Sequence, residues 1–94
     1  MSVRLTETAF ADIREIYAYI AKDNPVAAAA VAAAIERTIA AIEKRPTLAP
    51  IVHDGKVRAK LVERFQYRIF YEVEGQLVII RNVRSTRRRR PWEN

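Results

Sequence analysis

The sequence predicts an α+β fold in the order β-α-α-β-β-β, a helical hairpin packed on a small, mainly antiparallel sheet. Three observations lead there. Apolar residues recur at helical spacing through the first half of the chain, at Phe10, Ile13, Ile16, Tyr17 and Ile20 and again at Val31, Ile35, Ile39 and Ile42. From Val57 onward the period falls to two, and β-branched and aromatic residues accumulate. Pro25 and Pro46 punctuate the helical half. With 94 residues, 50% of them hydrophobic, residues 1–94 form one domain: there is room for a single core and too much apolar material for disorder.

Val3-Arg4-Leu5 is a short strand. Thr6 offers a side-chain oxygen to cap a helix starting at Glu7, whose charge suits the first turn. This helix keeps Asp12, Arg14 and Glu15 on its polar side. In Lys22-Asp23-Asn24-Pro25, Asn24 caps the second helix and Pro25 takes its first position, where a missing N–H costs nothing. The second helix extends to about Lys44, its many alanines giving high propensity and allowing close approach of another backbone. Pro46 ends it, and Thr47 to Lys56 is a connecting loop. Val57 to Val62 alternates, with Arg58 and Lys60 on one face and Val57, Ala59 and Leu61 on the other. Gln66 to Val73 is the next strand, Glu74-Gly75 a hairpin turn, and Gln76 to about Val83 the last strand. If the helices cover one face of the sheet, basic residues are expected to gather on the other. Residues 84–94 read as a basic tail without a period, Trp92 being its one core-type side chain.

The chain has no cysteine, hence no disulfide, thiolate nucleophile or cysteine-based metal site, and His53 is its only histidine. No metal site and no cofactor are expected. The apolar run from Pro25 to Ile35 falls short of the roughly 20 residues a membrane span needs, and the N-terminus lacks a signal-like apolar stretch. A cytoplasmic protein without a membrane partner is the expectation.

Residues 1–47 carry six basic and six acidic side chains, so the whole net charge of +6 belongs to residues 48–94. Arginine outnumbers lysine thirteen to four, which favours forked contacts to phosphate or carboxylate. A polyanionic or acidic-protein partner for the C-terminal half follows, although such runs are also common as solvated tails. A plain nucleic-acid-binding module fits less well, because neither helix carries base-reading side chains. A structural subunit that needs its partner to fold is a third class.

Ala9 with Asp12-Ile13 and Ile16, Tyr19-Ile20-Ala21, Asn24-Pro25-Val26-Ala27-Ala28, Pro46, Val57-Arg58, Tyr67-Arg68-Ile69-Phe70-Tyr71, Ile79 to Val83 and the closing arginine-rich segment together resemble the ParE branch of the RelE/ParE toxin superfamily. The resemblance spans roughly Val3 to Pro91 and lies in the ordered set rather than in any single motif. It implies a toxin of a type II toxin–antitoxin module, neutralised by a cognate antitoxin protein. ParE-like members poison DNA gyrase, whereas RelE-like members cut messenger RNA on the ribosome.

RNA cleavage needs a base, an acid and cations for the phosphorane. Arg58, Lys60 and Arg68 resemble the basic positions of RelE-like nucleases, and Lys60 could serve in proton transfer. Where many relatives carry a histidine, this chain has Ser85, and beyond Tyr71 its only aromatic residue is Trp92. Serine is not acidic and indole only donates, so the resemblance points to gyrase before RNA. For a gyrase poison the expected contacts are Arg81, Arg84, Arg87, Arg88, Arg89, Arg90 and Trp92. The antitoxin is expected to meet Arg81, Arg84 and the Arg87–Arg90 run with carboxylates. Simpler readings stand beside these: Arg68 pairing with Glu72, His53 as a solvated turn residue, and Trp92 either docking the tail or anchoring a partner.

Overall fold

The computed structural model describes residues 1–93. β1 (Ser2–Leu5) leads through Thr6 into α1 (Glu7–Ala21). The Thr6 hydroxyl accepts from the Ala9 amide at 3.0 Å, satisfying a free donor of the first turn, and donates to the Arg81 carbonyl at 3.0 Å. One side chain therefore caps the helix and ties it to a strand far along the chain. Asn24 Oδ1 accepts from the Ala27 amide at 3.0 Å and opens α2 (Pro25–Lys44), with Pro25 at its start. Both caps lie where the sequence places them.

By length and composition α2 could cross a membrane, its most apolar stretch having a mean hydropathy of 1.5. Here its stripe of Ala28, Val31, Ala34, Ile35, Thr38 and Ile42 is buried, while Glu36, Arg37, Glu43 and Lys44 are exposed. Thr38 sits in the buried stripe without an unpaired hydroxyl, because it donates to the Ala34 carbonyl at 2.7 Å.

The rest of the chain forms β2 (Ile51–His53), β3 (Val57–Leu61), β4 (Tyr67–Glu74) and β5 (Leu77–Ser85). The sheet order is β1-β5-β4-β3-β2, with β1 parallel to β5 and every other pair antiparallel. The helical hairpin covers one face. There Ala9, Val31, Ile35 and Ile42 meet Ile69, Tyr71, Val78, Ile80 and Val83 in a single core.

The sheet departs from the sequence reading in four places. The expected loop Thr47–Lys56 contains β2, a strand of three residues that pairs through Ile51–Arg58 and His53–Val57 across an irregularity; three residues are too few to show a period. Its turn uses Asp54 (φ 53) and Gly55 (φ 68), the left-handed pair that suits a tight hairpin. The β4–β5 turn lies one residue later than expected: Glu74 pairs with Leu77, and Gly75 (φ 56) supplies the positive φ. A bulge makes Phe70–Asn82 be followed by Tyr71–Ile80, leaving Arg81 as the extra residue. Finally, β5 runs to Ser85, so Arg84 and Ser85 belong to a strand and not to a tail.

Candidate functional site: the open sheet face and its arginine loop

Directly opposed residues of an antiparallel ladder project to the same side, so the register assigns each basic residue to a face. Arg58 opposes Tyr71 and Lys60 opposes Ile69, and both partners lie in the core beneath the helices. Arg58 and Lys60 therefore occupy the helix-covered side, near the sheet edge. Arg58 donates to the carbonyls of Thr47 at 3.0 Å and Ala49 at 2.6 Å, which holds the segment after α2 in place. On the uncovered face β3 presents Val57, Ala59 and Leu61, the reverse of the expectation that its basic residues gather there. Alternation separates two sets but does not say which set meets the helices. Near the border of the helical layer, a long cation can keep its head near water while its stem packs.

Arg68 opposes Leu61 on β3 and Arg84 on β5, so it lies on the uncovered face. The expected ribonuclease residues Arg58, Lys60 and Arg68 are thus divided between the two sides of the sheet. Nor does Arg68 pair with Glu72. That carboxylate, 5% exposed, takes a hydrogen bond from Arg81 across the bulge and lies 3.8 Å from Lys56 Nζ.

A cleft of about 310 Å³ opens beside this ion pair, lined among others by His53, Lys56, Glu72, Arg81 and Trp92. The Trp92 indole stacks on His53 with 4.0 Å between ring centroids and 6° between planes, and meets Phe70 edge-on at 5.4 Å. Trp92 therefore docks the C-terminal segment on the body, and His53 lies half-buried against it. The Arg90 guanidinium sits 5.9 Å from the indole centroid. Around it the chain closes a turn, the Arg90 amide donating to Glu93 Oε1 at 2.8 Å and the Glu93 amide to the Arg90 carbonyl at 2.9 Å. At the other end, the Thr86 amide donates to the Gln66 carbonyl at 2.8 Å and the Arg88 amide to the Ser85 carbonyl at 3.1 Å, while Ser85 Oγ accepts from the Arg87 amide at 3.2 Å. Arg87–Arg90 is a loop held at both ends.

A second depression of about 510 Å³ lies between α1 and the far end of β4 and β5. Asp12, Glu15, Ile16 and Tyr19 form one wall, Tyr67, Val83 and Ser85 the floor, and Arg87 and Arg88 the opposite rim. Asp12 Oδ2 accepts from the Val83 amide at 2.9 Å and supplies the edge of β5 with a partner where β1 has ended. Sequence reasoning left Asp12 on the polar face of α1, since nothing local shows a contact 71 residues away. Beneath the helices the Tyr71 hydroxyl donates to the Pro46 carbonyl at 2.7 Å. Burial pushes the Tyr71 phenol above its usual value, partly offset by the nearby Arg58 guanidinium and the Ala49 backbone.

Among the described residues no group of three or more His, Cys, Asp or Glu could hold a metal ion. The surface offers clustered guanidiniums, with the Glu72 carboxylate held by Arg81 and Lys56 and the His53 ring stacked on the indole. Clustered guanidiniums are suited to forked contacts with phosphate or carboxylate.

Residues 3–90 match the family model described as the ParE toxin of type II toxin-antitoxin system, parDE. Among solved structures, the chain is similar to one of the chromosomal ParDE TA system from P. aeruginosa. The TM-score is 0.82 at 20% identity, covering 90% of this chain and 95% of that one. It is also similar to the isolated E. coli RelE toxin, with a TM-score of 0.70 at 13% identity, covering 94% of this chain and 86% of that one. No curated protein matches in sequence. At these identities the two structures share the fold, and the family model is what distinguishes the branch.

Proposed function

This chain belongs to the ParE toxins of type II toxin–antitoxin systems, and from that premise we propose that it arrests growth by inhibiting DNA gyrase in the cytoplasm and is neutralised by a cognate antitoxin. The observation that carries the choice of gyrase over RNA is the division of the basic residues. Arg58 and Lys60 lie on the helix side and Arg68 on the other, so the three basic residues expected of a ribonuclease do not converge on one surface. A poison that works by binding needs no such convergence. Its contacts are the cations of the uncovered face and the loop: Arg81, Arg84 and Arg87 to Arg90, with Trp92 holding the loop in position.

The antitoxin has two features to engage. The depression beside α1 has an apolar floor and an arginine rim, which suits an amphipathic segment whose carboxylates reach Arg87, Arg88 and onward to Arg84 and Arg81. A segment lying there covers Arg87 and Arg88, and only its continuation round the end of the sheet to the uncovered face would reach Arg84 and Arg81; inhibition then follows from occlusion of arginines that the target would use.

The test is pulse labelling of DNA and protein synthesis within minutes of inducing the chain alone in bacteria, followed by plasmid cleavage with purified gyrase. Thymidine incorporation is expected to fall first, and cleaved plasmid to accumulate. An early fall in methionine incorporation with intact plasmid would sink the gyrase reading and favour ribosome-dependent mRNA cleavage, with Lys60 and Arg68 as the residues to mutate.

A further inference from the structure

Arg68 and Arg84 face each other on one rung of the β4–β5 ladder. Opposed side chains on such a rung start only about 5 Å apart, and like charges there repel. Ordinarily a carboxylate nearby relieves the repulsion. Here both ion pairs among the described residues end on Glu72, which belongs to Arg81 and Lys56. Glu74 stands at the hairpin turn at the other end of β4, and Glu93 accepts from the Arg90 amide. Arg84 Nε is moreover buried with no hydrogen-bond partner among the described residues. A guanidinium N–H left buried and unpaired, on a rung shared with a second arginine, is a costly arrangement for the chain alone.

The arginine loop begins directly after this rung. Ser85 holds its near end and the stacked Trp92 its far end, so Arg87–Arg90 cannot drift away as a solvated tail does. We propose that Arg68, Arg84 and the latched Arg87–Arg90 loop form one cradle for the phosphodiester backbone of DNA, with Trp92 as the positioning residue that keeps it closed. Facing guanidiniums on one rung can give forked contacts to the non-bridging oxygens of the backbone phosphates. The loop supplies further cations for the neighbouring phosphates. An antitoxin covering these arginines would compete with DNA for them.

The cradle is tested without gyrase, so its failure is separate from failure of the gyrase reading. Anisotropy of a fluorescein-labelled 20-base-pair duplex is titrated with the full chain across a salt series. The wild type binds, and Arg68→Gln with Arg84→Gln weakens binding at least tenfold at low salt and lowers the salt slope by about 2, one unit for each lost phosphate contact. Because this double variant removes an unrelieved like-charge pair, its melting temperature stays level or rises. Trp92→Ala weakens DNA binding and speeds tryptic cleavage within Arg87–Arg90, and Trp92→Phe restores both toward wild type. As the only tryptophan, Trp92 also reports closure: its fluorescence changes as duplex is added. Unchanged affinity and slope in the folded double variant would overturn the cradle, because the loop would then bind as an ordinary basic tail. Binding of a poly-glutamate peptide but not of the duplex would overturn its assignment to nucleic acid.

Discussion

Tyr71 shows how much one side chain can carry. Its ring fills the core between the sheet and the hairpin, and its hydroxyl fastens the end of the helical layer through the Pro46 carbonyl. Burial raises its pKa above the ordinary value near 10, so the phenol stays neutral in the folded chain at pH values where the unfolded chain ionises it. The sign follows: above about pH 10 the unfolded state holds fewer protons, and stability falls as pH rises through the folded value. Tyr71→Phe is expected to lose about 1 kcal/mol at neutral pH, from the hydrogen bond. It also removes the Tyr71 part of the alkaline loss above pH 10. Urea titrations of both proteins at pH 7 and through the alkaline range measure the two effects; parallel alkaline profiles would assign the loss to other groups.

At the scale of elements, the controlling fact is that β1 is short and β5 long. β1 pairs with β5 only from Leu77 to Ile80, and beyond it the strand edge is finished by the first helix through Thr6 and Asp12. Asp12→Ala leaves the Val83 amide without its partner and is expected to cost about 1 to 3 kcal/mol, while Asp12→Asn keeps an acceptor and costs less. Thermal melts of the two variants check this, with equal losses arguing that the carboxylate charge matters more than the bond. The same element shows where the sequence was readable. Both helices and their caps at Thr6 and Asn24 were legible, because a capping oxygen and an i, i+3, i+4 stripe are local signals. The strands of the meander were legible from their alternation, but their facing was not. Nothing within Val57–Leu61 says that Arg58 would meet Tyr71 under the helices. β2 was hidden by its three residues, and the extension of β5 to Ser85 by the arginine at 84, which looks like the start of a tail. The Trp92 dock on His53 joins positions 39 apart whose flanking residues show no period, and only folding brings the rings together.

For the whole molecule, charge is divided as sharply as structure. The strand and hairpin of residues 1–47 are neutral, and all of the +6 lies in the half that builds β2 to β5 and the arginine loop. A field concentrated on one side attracts an acidic partner along a preferred approach and acts first on the rate of encounter. Arg87, Arg88 and Arg89 are exposed, and Arg90 is half-covered by its place beside the indole. Changing Arg87–Arg90 to glutamine removes four of eleven basic residues from the charged half while leaving the core untouched. The expected result is a folded protein whose association with the cognate antitoxin is about tenfold slower or more at low salt. The rate becomes nearly independent of ionic strength between 50 and 200 mM, roughly the range in which the Debye length shrinks through 10 Å. Dissociation changes less, because the apolar lining from Ile16, Tyr67 and Val83 remains. Stopped-flow association across that salt range, with growth arrest scored in parallel, separates steering from contact. An unchanged association rate with a much faster dissociation would assign these arginines to the bound interface alone, and the charge asymmetry would then have no part in finding the partner.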